Sequence, residues 1–176
     1  MTTPSLRASG AADGSSLHSA SHEHHDRIMP HVDALPQLAE LIDQLSPAEY
    51  AARFETECHF IVGTLMPHID AIEQTLYGRL DGLMEGRHSM QPMRDEHEQL
   101  RRLFSSLCRY RAMVGAGALD QAAAIGLRRV LYRLYTLMKV HLAEEELYLG
   151  VIDRDLSSDE KDALARGLDH ATSEPV

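Results

Sequence analysis

The chain has 176 residues, 44% of them apolar and 5% aromatic with no Trp, and a formal charge of −10 at pH 7. That length supports one domain with an unaided hydrophobic core, and the acidic balance argues against nucleic acid, whose phosphates require Lys and Arg. No apolar run nears the ~20 residues of a membrane span, so neither nucleic acid nor membrane is an expected partner. Cys58 and Cys108 fit no metal-motif spacing; with no secretory leader in view, they are expected to be reduced thiols of a cytoplasmic protein. Eleven histidines are the anomaly.

Residues 1–16 are Thr, Ser, Ala and Gly with little apolar content, which predicts a disordered tail. From Leu17 to Leu45 the apolar residues Ile28, Val32, Leu35, Ala39 and Ile42 recur at helical spacing, and Pro30 and Pro36 predict kinks there. Ser46-Pro47-Ala48-Glu49 combines a capping box with proline at the first helical position. The second helix is expected to reach Met84, with Leu65, Ile69, Ile72, Leu76 and Leu83 on one face, followed by a loop over Gly86–Gln91. A third helix, Pro92 to Val114, presents Met93, His97, Leu100, Phe104 and Leu107 and stops at Gly115-Ala116-Gly117. In the fourth, Leu119 to Leu156, Leu127, Leu131, Leu134, Met138, His141, Glu145, Tyr148 and Ile152 alternate at steps of four and three. Ser157 and Glu160 offer a second capping box for a short helix and polar tail over 157–176. With no strand-like alternation, the expected fold is all-α, an antiparallel up-down four-helix bundle over residues 17–156.

Seven residues occur twice: Met29-Pro30-His31-Val32-Asp33-Ala34-Leu35 returns as Met66-Pro67-His68-Ile69-Asp70-Ala71-Ile72. In the fourth helix His141 and Glu145 replace leucines in an apolar seam that carries no Lys or Arg within a turn. Burying such a carboxylate is costly unless something positive pairs with it, and residues four apart lie side by side, so a shared cation resolves the conflict. Glu146 falls at the rim or behind the ligands, and Tyr148 reads first as a core tyrosine, with a hydrogen bond to a metal-bound oxygen as its alternative. His68 and Glu73 straddle Ile72, and Pro67 opens the preceding turn. His97 lies on the apolar face between Met93 and Leu100, where a satisfied core histidine is the plain alternative. In the first helix His31 is near the apolar face, His24 lies above it and His25 sits at the other edge, so the inward histidine stays open. His18, His59, His88 and His170 fall on outer faces or ends. Imidazoles mixed with carboxylates suit iron, manganese or zinc, and carboxylates on facing helices can bridge two ions.

At these residues the chain resembles the hemerythrin-like (HHE cation-binding) family, over residues 18–153. The matching pieces are His25-x-x-Ile28-x-Pro30-His31, His68 through Glu73 to Leu76-Tyr77, Glu96-His97-Glu98, and His141 through Glu145-Glu146. The resemblance implies a non-haem diiron centre with bridging carboxylates. Its ligands would be His25 or His31 or both, His68, Glu73, His97, His141 and Glu145. Two positions depart from the pattern: Ile72 stands where many members carry a bridging glutamate, and Arg101 where oxygen carriers have another histidine.

The implied function is a metal-binding protein that binds or reacts with a small oxidant (O2, peroxide or nitric oxide), as carrier, sensor or detoxifier. One alternative is a diiron oxygenase or oxidase acting on an organic substrate; another is a metal-free helical interaction module. Protein partners are not legible in the sequence.

Overall fold

The structure is a computed structural model that describes residues 17–83, 89–152, 157–163 and 166. The tail expected over residues 1–16, together with His88 and His170, lies outside the described residues, as do the side chains of His18 and His24. The molecule is all-helical, with no strand among the described residues. Among the described residues no helix is long and apolar enough to cross a membrane.

Helix α1 (Leu17–Glu40) passes through both Pro30 and Pro36 and tightens into a 3-10 turn over Leu41–Asp43. The Ser46 side chain then accepts from the Glu49 N–H while the Glu49 carboxylate accepts from the Ser46 N–H, which starts α2 (Pro47–Phe60) as expected from sequence. The helix continues to Leu83, but it widens twice. A π turn over Ile61–Leu65 precedes α3 (Met66–Ile72), and a second over Glu73–Tyr77 precedes α4 (Gly78–Leu83). Pro67 explains the first, because its missing N–H and its ring disrupt the turn before it; Met66 N–H reaches back to Ile61 O instead. The second has no proline, and its extra residue lets neighbours Leu76 and Tyr77 both face inward.

Helix α5 (Gln91–Gly115) ends as the sequence predicts. Gly117 adopts a φ of 64°, and Ala118 N–H bonds to Met113 O at 2.9 Å, satisfying a carbonyl of the last turn. Asp120 caps α6 (Gln121–Ile152), its carboxylate accepting from the Ala123 N–H at 2.7 Å. Residues 158–163 are helical, opened by the Glu160 carboxylate accepting from Ser157.

Packing closes into a ring of neighbours: α1 lies against α6, α6 against α5, α5 against α2, and α2 against α1. Two apolar clusters fill the interior. The larger includes Ile28, Leu65, Leu100 and Met138; the smaller gathers Ile72, Tyr77, Met93 and Leu149. Three inner helix faces are interrupted between them by polar residues: His68 between Leu65 and Ile72, His97 between Met93 and Leu100, His141 and Glu145 between Met138 and Leu149. Beyond Glu145 the buried position is Leu149, while Tyr148 is half-buried and packs on the smaller cluster.

Candidate metal centre

His25, His68, His97, His141 and Glu145 are the buried polar residues among those described, none more than 3% exposed. Glu145, near the end of α6, is closed off from water. The three ligand-type groups of His25, His68 and Glu145 lie within 4.8 Å of one another. The Glu145 Oε2 is 3.6 Å from His25 Nε2, 3.9 Å from His68 Nε2 and 3.6 Å from His141 Nε2. All three separations are too long for hydrogen bonds, and neither Glu145 oxygen has a hydrogen-bond partner. Ligands about 2.1 Å from one ion, at ordinary coordination angles, stand about 3.0–3.6 Å apart, so the spacing is close to that of donors around a cation. Burial pushes the Glu145 pKa up, but the His25 and His68 rings outweigh it and hold the carboxyl well below its usual range.

Three imidazoles are gripped from outside by carboxylates. The Nδ1 of His25 lies 3.2 Å from Glu146, that of His97 2.8 Å from Glu73, and that of His141 2.9 Å from Glu96. Each carboxylate comes from a different helix than the ring it holds: α6 serves α1, the second long helix serves α5, and α5 serves α6. An ionised carboxylate only accepts, so each of these Nδ1 atoms carries a proton and each ring presents its Nε2 inward, where a metal would replace any second proton. His97 Nε2 and His141 Nε2 then meet at 2.9 Å, with the Tyr77 hydroxyl 3.3 Å from His97 Nε2. At that distance the two nitrogens must share a proton or a cation. Burial and the neighbouring His141 lower the His97 pKa to about 4, so its ring is neutral at pH 7.

The residues expected from sequence are thus divided. His25, His68, His97, His141 and Glu145 converge, with Glu145 linking the His25–His68 pair to the His97–His141 pair. His31 does not join them: its Nδ1 bonds Glu57 at 3.0 Å and its ring stacks on Phe60 at 3.7 Å. Six residues on a helix rotate the side chain by ~120°, so α1 turns only one of the two rings to the centre. Glu73, expected to face inward, instead reaches the outer nitrogen of His97 and accepts from Arg101 at 3.0 Å. The second π turn begins at Glu73, where the helix widens. Arg101 also bonds Asp70 at 2.7 Å.

Two positions escaped the sequence reading. Tyr77 appeared there only as part of a motif, yet it is fully buried against His97. Glu96 adjoins His97 in sequence but orients His141. Glu146, expected at the rim or behind the ligands, steers His25. Compared with family models, curated proteins and solved structures, the chain matches none.

Proposed function

We propose that this chain is a hemerythrin-like non-haem diiron protein, an antiparallel up-down four-helix bundle that binds or reacts with a small oxidant: O2, peroxide or nitric oxide. One observation carries the reading. The buried Glu145 carboxylate, without a hydrogen-bond donor of its own, stands among imidazoles whose Nδ1 atoms are tied to outer carboxylates. Metal-ligating histidines are typically held in this way.

In this reading His25 and His68 hold one ion, His97 and His141 the other, and Glu145 serves both. Ferrous iron at such a site supplies electrons to a small oxidant. The protein's own contribution is orientation and exclusion. Glu146, Glu73 and Glu96 keep the ring lone pairs inward, and Arg101 balances the charge of Glu73. Ile72, Leu100 and Met138 wall the site with apolar surface. The buried Tyr77 hydroxyl is placed to donate a hydrogen bond toward the centre, and burial together with Glu145 keeps its proton in place. Manganese and zinc suit the same donors. We assign the protein to the cytoplasm, where Cys58 and Cys108 stay reduced.

A small ligand is favoured over an organic substrate. The cavity lined by Val32, Leu65, Phe104 and Met138 together with His31 and Glu57, one to two turns from the converging histidines, measures about 10 Å³, room for about one water-sized molecule. The test is to purify the chain from iron-supplemented cells and measure metal content and visible absorption in air, before and after reductant. Two irons per chain with a spectrum that bleaches on reduction and returns in air supports binding. Steady consumption of O2 only with an added organic substrate supports the oxygenase, and a colourless, metal-free protein sinks the proposal.

A further inference from the structure

The outer face of α6 is unlike those of its neighbours. Exposed positions on α5 include Asp95, Glu98, Gln99, Arg102, Ser105 and Arg109, with no large hydrophobic residue among them. On α6 the corresponding face carries Ile125, Tyr132, Val140 and Leu147, which are 39–68% exposed and form four of the five exposed large hydrophobic residues among those described. At 100° per residue they fall within about 80° of one another. With exposed Arg129, Thr136 and Ala143 between them, they mark a stripe about 33 Å long, given a rise of 1.5 Å per residue.

The stripe is symmetric about one residue. Thr136 lies eleven residues from both Ile125 and Leu147, and four residues from both Tyr132 and Val140. An identical helix laid antiparallel with Thr136 on the twofold axis therefore sets Ile125 against Leu147 of the second copy and Tyr132 against its Val140. Charge follows the same reversal. Exposed Arg129 lies in the first half of the face and Glu144, half-buried beside it, in the second, while Arg133 and Lys139, also level in this register, fall on opposite flanks of the stripe. The antiparallel register brings Arg129 level with Glu144 of the second copy to within one residue, whereas a parallel register stacks Arg129 on Arg129. Beside the stripe, Leu103, Thr136 and Leu137 border an open groove of about 390 Å³ that offers space for side chains of the second copy.

From these features we infer that the chain forms a twofold homodimer through the outer face of α6, antiparallel and centred on Thr136. Such an isologous contact is self-complementary by construction. The inference does not rest on metal binding, because the stripe faces away from the histidines.

Sedimentation velocity on the full chain at about 10–100 µM, the range in which a standard-size interface is populated, should give a dimer. The Val140→Glu/Leu147→Glu variant should sediment as a monomer with unchanged helical circular dichroism and unchanged metal content. In a Cys108→Ser background, Thr136→Cys should oxidise to a disulfide-linked dimer. Leu147→Cys alone should not, whereas an equimolar mixture of Leu147→Cys and Ile125→Cys chains should link. A monomeric wild-type chain, a dimer that survives both glutamates, or linking by Leu147→Cys alone as efficient as by Thr136→Cys would each overturn the inference.

Discussion

Replacing Glu145 by leucine should leave the protein unable to gain stability from metal. The carboxylate is 1% exposed, with three imidazole nitrogens 3.6–3.9 Å from its Oε2. The His25 and His68 rings hold it ionised despite burial, and a depressed carboxyl contributes stability at neutral pH, so metal-free Glu145→Leu should melt no higher than the metal-free wild type. Metal stabilises whatever binds it, by about 2.7 kcal/mol at a hundredfold excess over Kd. For a chain of this size 1 kcal/mol shifts the melting temperature by about 2–4 °C, so added ferrous iron should raise the wild type by about 5–11 °C and leave the variant almost unmoved. Paired anaerobic thermal melts with and without iron, alongside elemental analysis, measure both halves. A variant that melts above the wild type without metal, or that still gains stability from iron, refutes the reasoning.

His141→Ala should strip most of the bound metal, whereas His59→Ala, on an exposed face of α2, should keep it; elemental analysis of both compares them directly. Glu96→Gln should weaken metal affinity by about 10–100-fold without lowering the content at saturation, as read by competition with a chelator. Asp81 accepts from the Met90 N–H at 2.8 Å and from Arg94 at 2.7 Å, and these contacts hold its pKa below 3.8. A depressed carboxyl stabilises above its unfolded pKa and ceases to as pH falls through its folded one. Asp81→Ala should thus cost about 0.5–1.5 kcal/mol at pH 7, and the difference from wild type should shrink in urea melts below pH 3.8.

The helix limits were legible because local chemistry wrote them. Ser46 and Glu49 make both capping bonds, and Gly117 takes the positive φ that ends α5. The seam Leu127, Leu131, Leu134, Met138, His141, Glu145 was legible because an uninterrupted helix keeps its period, and all six residues are buried. What failed was angular reasoning across irregularities. Kinks were expected at Pro30 and Pro36, which left His25 and His31 unresolved. The helix stays continuous, so the line through Ile28 and Val32 carries back to His25. In the second long helix Pro67 announced one widened turn, but nothing in Glu73-Gln74-Thr75-Leu76-Tyr77 announces the other. An extra residue in that turn is a tertiary outcome that no periodicity reveals, and around it Glu73 reaches the outside of the site and Tyr77 the inside.

The cross-helix grip of Glu146 on His25, Glu73 on His97 and Glu96 on His141 makes the donor geometry a property of assembly. No segment aims its own ring, so a half-built chain offers an arriving ion only slack imidazoles. Capture then comes last, after every rod has docked, and tight retention of metal certifies that the tertiary arrangement is complete.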